Sequence, residues 1–277
     1  MPTMDGIDVS KYQNQAGAIN WTKVAASGAK FCFVKMSGTT TADPFGKDNL
    51  KNARSKGLLV GGYHFMTNGA SGKNQAKAFL STVTLKPGDI RPVIDIETVP
   101  GNAASKKTYV QRCEEFLAEV TTALGGTRPF IYTRKDILSS LGNPASFKDC
   151  PLWLAQYTGP DTPTYGIPDP WRRLGKRWTM WQWVGDAGRV PGFATAVDRN
   201  WFDAPTVWRD GTGGVRAQWD SPGDGWMADE SLSADDRMRA WLGLDTRDHH
   251  RPSSDGIVHG GAWVDDLIAQ RKLMTDD

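Results

Sequence analysis

Cysteine is scarce in this chain. Its 277 residues hold three, Cys32, Cys113 and Cys150, too few and too scattered for a disulfide framework or a zinc site. Histidine is nearly as rare, with four. His249, His250 and His259 fall at no zinc spacing, and His64 lies in an apolar strand-like run where a structural role is expected. No metal and no cofactor is therefore expected. Apolar runs stay short of the roughly 18 residues that a membrane span requires, which argues against membrane insertion. The opening Met1-Pro2-Thr3-Met4-Asp5-Gly6 lacks the basic and apolar regions of a signal peptide. Arginine-rich runs and nucleic-acid motifs are missing too, which sets nucleic acid aside as a partner. No internal repeat of the kind found in wall-binding arrays is present.

The charge that is present is unevenly placed. Through residue 209, 26 Lys+Arg face 17 Asp+Glu; beyond it, 7 face 14. A basic first part suits an anionic partner, whether nucleic acid, membrane or an acidic polymer such as bacterial cell wall.

Short β-rich apolar segments alternate with helical patterns up to the same point. Strands are expected over residues 6–10, 31–37, 58–65, 92–97, 129–133, 152–157, 178–183 and 196–200. Eight such segments suggest a closed parallel α/β barrel. About 209 residues is lean for a fold that typically uses some 250, so several outer helices should be missing. Asn20 is placed to cap a helix ending at Gly28, and Ser105 one ending at Gly125. In the second, Val110, Cys113, Leu117, Val120 and Leu124 recur at three- and four-residue steps, which marks one buried face and makes Cys113 a structural thiol. Residues 158–177 are rich in Pro and Gly and show no helical period. Residues 209–214, Arg-Asp-Gly-Thr-Gly-Gly, read as a linker. The chain thus divides into a barrel over residues 1–209 and a small, mainly helical C-terminal region over 210–277. Helices are expected near 234–242 and 262–274. Trp219, Trp226, Trp241 and Trp263 suit a binding or assembly module better than a solvating tail.

The chemistry concentrates where strands end. In Arg91-Pro92-Val93-Ile94-Asp95-Ile96-Glu97, period two puts Val93, Asp95 and Glu97 on one face and Ile94 and Ile96 on the other. Two carboxylates so close push at least one proton affinity upward, as a general acid near neutral pH needs. In an α/β barrel, functional groups gather at the C-terminal ends of the strands. Asp8 and Asp198 stand at two further strand ends. Aromatic and amide groups accompany them: Tyr63, Phe65, Trp153, Gln156, Tyr157, Trp181 and Gln182, with Trp183 alongside. Acids walled by aromatics suit a carbohydrate, whose C–H faces stack on rings while its hydroxyls need polar partners. Trp21, Trp171, Trp178, Trp201 and Trp208 are expected to serve packing instead.

Six motifs occur together in order: Asp8-Val9-Ser10, Tyr63-His64-Phe65, Asp95-Ile96-Glu97, Trp153-Leu154-Ala155-Gln156-Tyr157, Trp181-Gln182 and Val197-Asp198-Arg199-Asn200. Over residues 5 to about 205 the chain resembles glycoside hydrolase family 25, the Chalaropsis-type lysozymes, many of them phage endolysins. The resemblance implies a flattened TIM-like barrel with missing helices. It also implies a muramidase that cleaves the β-1,4 bond between N-acetylmuramic acid and N-acetylglucosamine in bacterial peptidoglycan. Glu97 would be the general acid. Asp95 would either stabilise the developing oxocarbenium charge or orient the substrate's own 2-acetamido group as an internal nucleophile with retention, while Asp8 and Asp198 would tune Glu97 and hold water or sugar. Release by a holin after synthesis in the host cytoplasm, or carriage on a virion, is expected of such an enzyme without a signal peptide. Two alternatives fit less of the pattern. A family-18 chitinase would carry D-x-x-D-x-D-x-E, but Val93 and Ile90 replace two of its aspartates. A sugar-binding or virion structural protein on the same barrel would have no need of all four acids.

Overall fold

The structure is a computed structural model that describes residues 3–84, 89–124, 126, 128–157, 166–174, 178–203, 207–209 and 215–217. Its strands are β1 (Thr3–Val9), β2 (Phe31–Gly38), β3 (Thr41–Ala42), β4 (Leu59–Phe65), β5 (Val93–Ile96), β6 (Phe130–Thr133), β7 (Leu152–Ala155), β8 (Met180–Gly188), β9 (Val197–Asp203), β10 (Val207–Arg209) and β11 (Val215–Ala217). Hydrogen bonding runs β1-β9-β8-β7-β6-β5-β4-β2, and β1 also pairs with β2, so eight strands close into a barrel. The two-residue β3 hangs on β2. All eight expected strands are present.

One strand departs from the all-parallel expectation. β9 runs antiparallel to both of its neighbours, β1 and β8. Residues 189–196, which include Pro191 and Gly192 (φ +106°), are all that joins β8 to β9. A parallel return needs a crossover of a dozen or more residues, so the chain comes back antiparallel.

Period-two alternation sorts the strands into an interior and an outer layer. Phe31, Phe33, Leu59, Val93, Phe130, Trp153, Met180 and Phe202 fill the interior. Gly6 and Gly61 make room there: a Cβ on either would collide with the ring of Phe31 or Phe33 respectively. The alternate residues, among them Ile7, Val34, Val60, Ile94 and Leu154, form the outer layer.

Helices pack on that outer layer. They are α1 (Lys11–Ala16), α2 (Trp21–Ala26), α3 (Gly46–Ser55), α4 (Gly72–Thr82), α5 (Ala103–Ala123), α6 (Lys135–Ser140) and α7 (Asp169–Arg172). Among the described residues only α3, α4 and α5 reach ten residues, in keeping with the expected loss of outer helices. Asn20 caps α2 by accepting the Lys23 amide at 3.1 Å. The cap of α5 is Asn102, which accepts the amide of Ser105 at 2.9 Å. The helix therefore begins a turn before the expected Ser105, since asparagine and serine cap equally well and only the backbone path decides. α7 is a single turn inside the segment that showed no helical period.

His64 is fully buried in the outer layer. Gln75 Oε1 can only accept, so Nε2 of His64 carries the proton (3.1 Å) and Nδ1 accepts from Ser37 Oγ (2.8 Å). The ring stacks on Phe116 at 4.8 Å. Burial lowers its pKa to about 4, so it stays neutral. Cys32, Cys113 and Cys150 are free and buried. Trp21, Trp171 and Trp178 are buried as packing residues, while Trp208 is placed only by its backbone in β10.

Strands β10 and β11 pair across the glycine-rich stretch read as a linker, so the 209/210 boundary falls within a strand pair. The expected helices at 234–242 and 262–274, and the tail tryptophans, lie outside the described residues. Among the described residues, no helix is long and apolar enough to cross a membrane.

Candidate active site

Four acids meet at one end of the barrel. Asp8 lies near the end of β1 and Asp198 near the start of β9, and the antiparallel register makes them Cα partners. Reversal of β9 is what brings a residue from the beginning of a strand to the face where the parallel strands end. Asp95 stands on β5, opposite Phe65 of β4. Glu97 follows the last residue of that strand and is exposed, whereas Asp95 is 5% exposed. Tyr63, Tyr132, Trp153 and Gln182 complete the cleft.

A polar network holds the floor in place. Gln182 Oε1 accepts from the hydroxyls of Tyr132 (2.7 Å) and Tyr157 (2.9 Å). Two donors on that oxygen fix the amide orientation and turn Nε2 toward Asp8 Oδ2 at 2.9 Å. Asn200 Nδ2 donates to the same Asp8 oxygen at 2.8 Å, while its Oδ1 accepts the indole N–H of Trp153 at 3.0 Å. Asp198 Oδ1 takes the backbone N–H of Asp186 at 2.5 Å. Asp95 Oδ1 is buried and has no hydrogen-bond partner among the described residues.

The acids form two pairs, each with a deep and a shallow member. Burial, then the nearby charge of Asp198, raises the pKa of Asp8 well above the usual carboxylate range. Asp198 itself is raised to about 6, chiefly by burial. Asp95 is raised well above that range by burial, by the charge of Glu97 and by a hydrogen bond shared with it. The deep acids Asp8 and Asp95 thus favour their protonated forms. Burial likewise keeps the Tyr63 and Tyr132 phenols protonated.

Most of the expected site residues converge here, and three do not. Asp8, Asp95, Glu97, Asp198, Tyr63, Trp153 and Gln182 line the cleft, and the half-exposed Tyr157 bonds into its floor. Trp181 lies outside the barrel wall: it is fully buried, donates to the Gln156 carbonyl at 2.7 Å and packs edge-on against Trp201 at 5.4 Å. Alternation decides this, because Gln182 points inward and its neighbour must point out. Gln156 carries its side chain toward Gly166, away from the acids. Phe65, the Cα partner of Asp95, is not among the residues lining the cleft; its ring lies under the ammonium of Lys35, 4.3 Å from its centre. Tyr132, Asn200 and Lys35 had not been expected as site residues. Strand parity within residues 129–133 would have found Tyr132.

A shallow depression outside the barrel, lined by Asn20, Trp21, Asn52 and Lys56 among others, gathers no carboxylate. Among the described residues, no cluster of His, Cys, Asp and Glu is arranged to hold a metal ion.

Comparison with known proteins places this geometry in context. A family model described as glycosyl hydrolases family 25 matches residues 7–193. Lysozyme M1 of Streptomyces globisporus is 32% identical over 213 residues, covering 72% of this chain and 68% of that protein. The uncharacterized protein YegX of Escherichia coli K12 is 32% identical over 209 residues, covering 73% and 70%. Among solved structures, a family GH25 lysozyme from Aspergillus fumigatus superposes with a TM-score of 0.61 at 30% identity, covering 74% of this chain and 96% of that one.

Proposed function

The chain belongs to glycosyl hydrolase family 25 and is a lysozyme, a muramidase acting on peptidoglycan; on that premise we propose that Asp95 and Glu97 share one proton and that its position arms the site. In the resting pair the proton lies with buried Asp95. Passing it along the shared hydrogen bond makes Glu97 the acid and Asp95 an anion. Glu97 then protonates the glycosidic oxygen as the C1–O bond to the leaving sugar breaks. The substrate's acetamido carbonyl oxygen forms the new bond to C1, and Asp95 accepts the acetamido N–H. Water, deprotonated by Glu97, then attacks C1 and opens the acetamido-derived ring with retention, and the proton gained by Glu97 passes back to Asp95 to restore the resting pair.

The single observation that carries this reading is Asp95 Oδ1, a buried carboxyl oxygen in the cleft without a donor among the described residues. Leaving a buried polar atom unsatisfied costs roughly 1–3 kcal/mol, and an acetamido N–H would relieve it. Mass spectrometry of muropeptides after digestion tests the bond: reducing ends should be N-acetylmuramic acid. Comparison of native wall with N-deacetylated wall tests the acetamido role. Equal cleavage of the two would remove substrate assistance and leave Asp95 as an oxocarbenium stabiliser.

Residues 210–277 are proposed as a wall-binding or assembly module, supported by the end of the family match at residue 193 and by the reversal of charge near residue 210. The basic barrel segment is proposed to favour anionic wall polymers. Delivery by holin-type release or on a virion is proposed on the same family grounds.

A further inference from the structure

Lys35 is a cation among acids. It lies on the inward face of β2, two residues beyond Phe33, and its Cα partner is Tyr63. A register shift follows at once, between Lys35 and Ser37, after which Gly38 pairs with Phe65. Bulges of this kind re-aim side chains beside functional sites. Here Lys35 runs along the strand instead of standing across it. Its Cε comes within 3.8 Å of where a Cβ on Gly38 would be, and its ammonium lies 4.3 Å from the Phe65 ring centre. Gly38, Phe65 and Asp95 occupy one rung across β2, β4 and β5. The ammonium has therefore climbed from the Tyr63 rung to the Asp95 rung.

We propose that Lys35 is a positioning residue for this reaction: lifted to the Asp95 rung and seated on Phe65, its ammonium draws the proton shared by Asp95 and Glu97 toward Glu97. The proposal rests on the shared-proton reading above. The charged groups acting on Lys35 are Asp95 and Glu97 from β5 and its end, Asp43 after β3, and Lys11 at the start of α1. Those acting on Asp95 are Glu97, Lys35 and Asp8. Of the groups named for Asp95 among the described residues, Lys35 is the cation, and its effect on Asp95 opposes burial and both neighbouring carboxylates. Asp43 is committed elsewhere, accepting the backbone amides of Lys11 (3.1 Å) and Phe45 (3.0 Å). A ring face under the ammonium holds it without supplying a counter-ion, which leaves its charge directed at the acid pair.

The test compares pH profiles of kcat/KM on purified wall for the full chain and its Lys35→Met, Lys35→Gln and Lys35→Arg variants. Loss of the cation raises both apparent pKa values of the acid pair, so acidic and basic limbs both move to higher pH. Lys35→Met and Lys35→Gln should each shift both limbs by about one unit and cut the plateau by about tenfold or more, while Lys35→Arg restores the limbs. A plateau that falls with limbs unmoved, in a variant whose circular dichroism and melting match wild type, means a packing role and overturns the proposal. A rise in KM alone overturns it in favour of a direct contact with substrate. Should Lys35→Met or Lys35→Gln fail to fold, failure of Lys35→Arg to reproduce the wild-type limbs also overturns it. Asp95→Asn, assayed in parallel, separates the two readings: if that variant stays active the shared-proton site itself is wrong, and if it is inactive while the Lys35 limbs stay put, only the role of Lys35 falls.

Discussion

Asp8 and Asp198 are Cα partners on antiparallel strands, 190 residues apart in sequence. Their carboxyls share one environment, with Asn200 and Gln182 donating to the deeper acid and the Asp186 amide to the shallower. The barrel seam and one wall of the cleft are therefore the same place.

Asp198 should make stability fall as pH rises. Burial lifts its folded-state pKa from 3.8 to about 6, so the folded chain holds the proton more tightly than the unfolded chain does. The contribution is full below about pH 4 and is lost as pH rises through 6. Asp198→Asn keeps an oxygen for the Asp186 amide and removes the charge. It should stabilise by on the order of 1–3 kcal/mol at pH 7.5 and by little at pH 4, at a cost in activity. Calorimetry at both pH values checks this, and an equal gain at each would contradict it.

Glu97→Gln should lower turnover on wall by about 10²- to 10⁴-fold with folding intact. Asp95→Asn should be similarly severe. Because the two act through one proton, the double variant should cost about as much as the worse single change, not the product of both. Retention of more than about a third of wild-type turnover by Glu97→Gln would sink the assignment.

Gly61→Ala should destabilise the barrel by about 1–3 kcal/mol, since the new methyl would enter the Phe33 ring. Shortening the ring with Phe33→Leu in the same chain should recover part of the loss. Thermal melts of the two variants decide the matter.

The eight barrel strands are complete at Asp203, so a chain cut there should fold and cleave soluble glycan fragments. Binding of the full chain to intact wall should weaken with salt, because exposed charges are screened beyond about 8 Å at physiological ionic strength. A neutral oligosaccharide should respond much less. An insoluble truncate would show that the later residues pack against the barrel, and matching salt responses would reduce the charge partition to a solubility feature.

Local pattern carried much of this architecture and stopped at identifiable points. Alternation and strand length located all eight barrel strands, and motif order located the four acids. Direction was beyond it: the run Val197-Asp198-Arg199-Asn200 reads the same whether β9 goes up or down, and only the eight-residue return from β8 settles the matter. Trp181 faces outward because its inward neighbour Gln182 fixes its parity, which aromatic character alone does not reveal. Lys35 was hidden because its reach depends on a register shift between paired strands, which no single strand displays.

The closing strand has a further consequence for how the enzyme comes into being. Asp8 leaves the ribosome near the start of synthesis, but its Asn200 donor and Asp198 neighbour follow some 190 residues later. A nascent or prematurely ended chain lacking β9 holds Asp95 and Glu97 on an open sheet, with Asp8 missing two of the groups that define its environment. Long-range pairing of this kind is among the last and slowest steps of folding. A chain ended before β9 should therefore lack hydrolytic activity, which would arrive only with the final barrel strand.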